Sequence, residues 1–90
     1  MKKTIEERLH EKISDKYGKD NYRLQNESGK HHGHAGDDGS GQTHFRLEIS
    51  SSRFADMTKI TAQREVYNLL SQEFSDGLHA LSLKLTSKKL

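Results

Sequence analysis

The sequence predicts a small α+β domain, and three observations carry that prediction. Ile5, Leu9 and Ile13 recur at i, i+4 and i+8, the spacing of a narrow helical stripe. Phe45, Leu47 and Ile49 alternate with His44, Arg46 and Glu48, the period of a half-buried strand. A second helical stripe, Ala62, Val66, Leu69, Leu70 and Phe74, then leads into a further alternation at Leu81, Leu83 and Leu85.

The first helix is expected from Ile5 to Tyr17. Thr4 with Glu7 three residues on reads as a capping box, and Gly18 suits the left-handed position that ends a helix. A brief strand follows from Tyr22 to Asn26, then the main strand from His44 to Ser50. Between them lie about 17 residues, 27 to 43, rich in glycine and histidine, which read as a flexible loop. Gaps that long inside compact domains are usually functional or disordered. Ser50-Ser51-Ser52-Arg53-Phe54 breaks the alternation and reads as a short helical turn. One long helix is expected from Lys59 to Phe74, capped by Thr58 or Thr61 and closed by Gly77. The last strand is expected from Leu78 to Leu85, with His79, Leu81, Leu83 and Leu85 on one side. The order is therefore α-β-β-(short α)-α-β, and the strand-helix-strand succession predicts a parallel pairing for the last strand.

Ninety residues make one domain, 1–90, with 31% charged and 30% apolar residues and a net charge of +2. That charge is too small and too dispersed to define a nucleic-acid binder. No apolar run is long enough to span a bilayer, and Met1-Lys2-Lys3-Thr4-Ile5-Glu6 has no hydrophobic region after its lysines. The expectation is a cytoplasmic protein that is monomeric when alone. Cysteine is absent, which removes disulfides, thiol catalysis and any self-contained thiolate metal site. Neither a nucleophile with an oriented base nor a phosphate-binding loop can be read, so no enzyme is expected.

The chemistry concentrates in histidine. His31, His32, His34 and His44 fall within fourteen residues, and His79 opens the last strand. Imidazole is the commonest protein metal ligand. On parity His79 points to the apolar side, so it is either a satisfied histidine at the core margin or an accessible ring at the sheet's end. His44 has the parity opposite to Phe45 and is expected to face outward, in a structural or a binding role. Asn26 and Ser28 read as turn formers at the loop entrance. Loop histidines must be ordered on coordination, at roughly 1–2 kcal/mol per residue fixed, and alone make poor high-affinity ligands.

Asn26-Glu27-Ser28, His31, Gly33-His34-Ala35-Gly36, Thr43-His44-Phe45-Arg46, Ser52-Arg53-Phe54 and Leu78-His79-Ala80-Leu81 resemble the BolA family in order and spacing, from about Ile5 to Thr86. The resemblance implies a fold like the class II K-homology (KH) domain, with a three-stranded mixed sheet backed by helices. It also implies partnership with a monothiol glutaredoxin, sharing a glutathione-ligated [2Fe–2S] cluster in iron–sulfur assembly, trafficking or iron regulation. The family's cluster-ligating histidine falls on His79 and its more variable second ligand on His31, with His32 and His34 as alternates. His44, Arg53 and His79 are the expected partner contacts. A cluster needs four terminal ligands, and histidines replace two thiolates in Rieske-type centres. A chain without cysteine would thus share its cluster rather than hold one alone.

The alternative that the resemblance implies is DNA binding and transcriptional regulation through a helix-turn-helix-like region, resting on Arg53, Lys59 and Arg64. Here the chain departs from the family. Ala55-Asp56 stands where many relatives have glycine, and Ala62 replaces one of a basic pair of which Arg64 remains. The tryptophan-containing tail common among relatives is also missing. The basic face is correspondingly thin.

Overall fold

The computed structural model describes residues 3–28 and 43–88. Its elements run α1 (Ile5–Tyr17), β1 (Tyr22–Asn26), β2 (His44–Ser51), a 3-10 turn (Ser52–Asp56), α2 (Lys59–Leu69), α3 (Ser71–Ser75) and β3 (Ala80–Ser87). The strands form one mixed sheet in the order β1-β2-β3. β1 pairs antiparallel with β2, and β2 pairs parallel with β3, as the intervening helices predict.

Local chemistry explains most of the boundaries. At the start of α1 the Thr4 hydroxyl accepts from the Glu7 N–H at 3.1 Å, while the Glu7 carboxylate accepts from the Thr4 N–H at 3.0 Å. The bond from the Thr4 backbone N–H, helped by the Thr4 side chain, holds the Glu7 carboxyl below its usual range. Gly18 ends the helix at φ 93°, and a Cβ there would come within 3.0 Å of the Asn21 side chain, so glycine fits on both counts. Of the two candidate caps, Thr58 serves α2, accepting from the Thr61 N–H.

One face of the sheet carries Phe45, Leu47, Ile49 and Leu81. These residues close a core with Ile5, Leu9, Ile13, Tyr17, Phe54, Ala62, Val66, Leu70 and Leu78, while Leu24, Leu69, Phe74, Leu83 and Leu85 pack half-buried at its margin. The other face carries Arg23, Gln25, Arg46, Glu48, Ser82, Lys84 and Thr86, with only Glu48 half-buried.

Two expected boundaries shift. The helix expected over Lys59 to Phe74 breaks at Leu70, whose φ and ψ of −103° and 13° leave the helical region. The apolar stripe keeps its phase across the break, so periodicity could not show it. The bend buries Leu70 fully and directs α3 toward α1, where Glu73 meets Arg8 and Lys12. The last strand begins at Ala80 rather than Leu78. The Leu78 N–H instead closes α3 on the Glu73 carbonyl, and Gly77 makes that turn at φ 136°.

Candidate functional site

Ser28 organises one end of the sheet. Its hydroxyl accepts from the backbone N–H groups of Thr43 and His44, both at 3.0 Å, and donates to the His44 carbonyl at 3.3 Å. Its own N–H is taken by the Asn26 side chain at 2.9 Å, an Asx turn, and the Glu27 N–H also donates to the His44 carbonyl. Ser28 is 3% exposed, so these bonds stand in for water at the polar groups they join. The chain therefore leaves the sheet at Ser28 and returns at Thr43, at one closed point.

The same point receives the C-terminal strand. The Thr43 carbonyl accepts from both His79 N–H (2.8 Å) and Ala80 N–H (3.0 Å). His79 is thus fixed through its backbone just before β3 begins. Its ring is exposed, outside the core cluster, and lies against the His44 ring with centroids 5.3 Å apart and planes at 51°. Of the two readings left open by the sequence, the accessible ring at the sheet's end is the one found. It meets His44 rather than the apolar side of Leu81, where parity pointed it, because the double bond to Thr43 precedes the regular strand.

His44 also differs from expectation. It was expected to face outward, yet it is 7% exposed. Its Nδ1 lies 2.9 Å from the Thr43 hydroxyl, and its other side meets His79. Parity placed it on the polar face correctly, but the pinch and the neighbouring ring take it out of water. It orients His79 more than it offers a contact surface.

The remaining predicted site residues are elsewhere or not described. His31, His32 and His34 lie outside the described residues. Among the described residues no three histidine or carboxylate side chains gather closely enough to hold a metal ion, so His44 and His79 alone do not make a closed site. Arg53 sits on the 3-10 turn, far in sequence and on a different element. Its Nε donates to Glu65 at 3.0 Å, and Lys16 reaches the same carboxylate at 3.2 Å. Burial alone would raise the Glu65 pKa, but the hydrogen bonds from Arg53 and Lys16 outweigh it and hold the carboxyl below its usual range. Lys59 and Arg64 are exposed on α2 and make no ion pair with a described residue. The expected basic cluster is therefore divided, with Arg53 exposed but already paired with Glu65.

Two features escaped the sequence. Glu73 is fully buried and takes Arg8 Nε at 2.9 Å and Lys12 Nζ at 2.8 Å, while Arg8 also reaches Asp76 at 2.7 Å. The i, i+4 placement of Arg8 and Lys12 was visible, but nothing local marks their partner some sixty residues away. The His44–His79 pairing likewise has no local signal.

The pattern described as BolA-like protein matches residues 13–89. The "UV-induced protein uvi31" of Schizosaccharomyces pombe is 40% identical over 87 residues, covering 93% of this chain and 83% of that protein. Among solved structures, BolA1 from Arabidopsis thaliana superposes with a TM-score of 0.80 at 32% identity, covering 97% of this chain and 94% of that one. The BolA domain of SufE1 from the same plant superposes at 0.78 and 31% identity, covering 97% and 95%. A relative named "DNA-binding transcriptional regulator BolA", from Haemophilus influenzae, is 29% identical over 82 residues, covering 91% of this chain and 76% of its own length. A family pattern spanning nearly the whole chain, on a fold superposing closely with solved BolA structures, leads to one conclusion: this chain belongs to the BolA-like family.

Proposed function

We propose that this protein is an accessory factor in iron–sulfur cluster handling, binding a monothiol glutaredoxin and contributing histidine to a shared, glutathione-ligated [2Fe–2S] cluster. The observation that supports this reading most is His79: an exposed imidazole whose backbone is held by Thr43 and whose ring is steadied by His44. Such a ring loses little freedom on coordination. The donor set fits a shared cluster, since the chain offers imidazole and no thiolate. His31 follows Ser28 by only three residues in the sequence and is the proposed second ligand, with His32 and His34 as alternates. The glutaredoxin thiolate and glutathione would complete the set. The occurrence of a BolA domain in a SufE protein is consistent with this reading.

The test is reconstitution with monothiol glutaredoxin, iron, sulfide and glutathione, followed by visible absorption and circular dichroism. A spectrum distinct from that of glutaredoxin alone, lost in His79→Ala, is expected. A spectrum unchanged by addition of this protein would overturn the proposal.

A second reading, a DNA-binding regulator, has the printed name of the Haemophilus relative and the exposed Lys59 and Arg64 in its favour. The Arg53–Glu65 pairing weighs against it, because a cation already bound to carboxylate releases fewer counterions on meeting phosphate.

A further inference from the structure

On the helical side carboxylates match Lys3 (Glu11), Arg8 and Lys12 (Glu73), Arg8 again (Asp76), and Lys16 and Arg53 (Glu65), while Lys59 and Arg64 of α2 stay exposed without an ion pair to a described residue. The solvent-facing side of the sheet gathers its cations into adjacent rows. There Arg46 pairs across the strands with Gln25 and Ser82, while Arg23 and Lys84 flank Glu48 in the next row. Arg23 is thus the diagonal neighbour of Arg46 across the antiparallel pair, and Lys84 stands in the next same-face row on the parallel strand. Glu48 is the one carboxylate among them, and it lies 4.0 Å from Lys84. Arg23 and Arg46 are exposed and form no ion pair with any described residue.

We propose that this sheet face is a docking surface for a carboxylate-rich protein partner, continuous with the His44–His79 site. Continuity follows from the register. His44 precedes Arg46 by two residues on the same face of β2, so a partner reaching His79 at the sheet's end passes over Arg46 next. At the opposite end the face sinks into an open depression of about 610 Å³, where Arg23 and Lys88 stand with Glu48 and Asp20. That recess can admit an acidic side chain against Arg23. Beyond the His44–His79 pair at the sheet's end, the rows of this face hold hydroxyls and an amide but, among the described residues, no aromatic ring on which successive bases could stack. Glu48 at the centre also opposes a phosphate backbone, while a protein surface can place a donor there. Carboxylates are therefore the favoured occupant and nucleic acid the competing one.

Naming the partner as a glutaredoxin rests on the function proposed above, whereas the acidic character of the partner does not. The experiment separates the two. A hexaglutamate peptide and a short DNA duplex are titrated separately into the isotopically labelled full chain and followed by amide NMR. The peptide should shift Gln25, Arg46, Ser82 and Lys84, and Arg23→Glu/Arg46→Glu should abolish those shifts. Lys3→Glu/Lys19→Glu, an equal charge change elsewhere, should keep them. Preserved spectral dispersion verifies folding, and Arg23→Gln/Arg46→Gln replaces the reversal if it does not fold. In a second arm, the double reversal should slow glutaredoxin association roughly tenfold at low salt, with the difference shrinking as salt rises. Failure of the unaltered chain to bind glutaredoxin would remove that partner, leaving the peptide result to decide the surface. Peptide shifts absent or located elsewhere, or duplex shifts on this face without peptide shifts, would overturn the proposal.

Discussion

Glu73→Ala should be among the most damaging single substitutions outside the apolar core. The carboxylate is fully buried, and both of its oxygens are used by cations that remain 26% (Arg8) and 36% (Lys12) exposed. Removing one partner of a fully buried ion pair costs about 3–5 kcal/mol, mainly by stranding the other charge. Here Arg8 retains Asp76 at 2.7 Å, and both cations keep some water, which lowers the penalty. The expected cost is about 2–3 kcal/mol, or roughly 8–24 °C in Tm for a domain of this size. Urea unfolding followed by circular dichroism at neutral pH measures it. Glu73→Gln keeps the shape without the charge and should cost nearly as much, which separates the ionic contribution from a cavity. A double-mutant cycle with Arg8→Ala should show a coupling above about 1 kcal/mol. A loss below about 1 kcal/mol for Glu73→Ala, or full additivity with Arg8→Ala, would refute the α1–α3 lock as a source of stability.

Ser28→Ala removes a hydroxyl that serves two backbone donors and one acceptor, and should cost about 1–3 kcal/mol in urea unfolding while faster amide exchange appears at Thr43 and His44. His79→Ala, at an exposed position, should change stability by no more than about 0.5 kcal/mol yet abolish the histidine-dependent cluster spectrum with glutaredoxin. His31→Ala should only weaken that spectrum; the reverse ranking would sink the assignment of His79 as the anchored ligand. Burial, reinforced by Glu65, pushes the Tyr17 hydroxyl up to about 12. Its neutral form is favoured in the fold, so its contribution is complete below pH 10 and lost as pH rises through about 12. Tyr17→Phe should flatten the alkaline limb of the stability profile, and an unchanged limb would contradict this origin. Duplex DNA binding should be weak and steeply salt-dependent, and tight binding at physiological salt would favour the regulator reading.

The elements of this protein were legible because they are specified over short distances. The Thr4–Glu7 box, the stripe Ile5-Leu9-Ile13 and the alternation Phe45-Leu47-Ile49 each act within a few residues, and the structure keeps them where they were read. The parallel pairing of β3 followed from the helices between the strands. Family resemblance singled out His79 as a candidate, but its orientation was not legible. Strand parity assumes a regular strand, and the two bonds from His79 and Ala80 to the Thr43 carbonyl precede a strand that starts two residues later than expected.

What tertiary structure alone decided are the interactions between residues distant in sequence. Parity put His44 on the polar face, but burial depends on what approaches that face, here His79 and the Ser28 pinch. The stripe through Leu70 reads as one helix, yet satisfying Glu73 with Arg8 and Lys12 goes with a bend that no local propensity encodes. Counting Arg53 as a free cation overlooked Glu65, twelve residues away on another element. A sequence states which charges and rings exist. Their exposure and pairing, which set what they can bind, depend on the desolvation and partners that only the folded chain supplies.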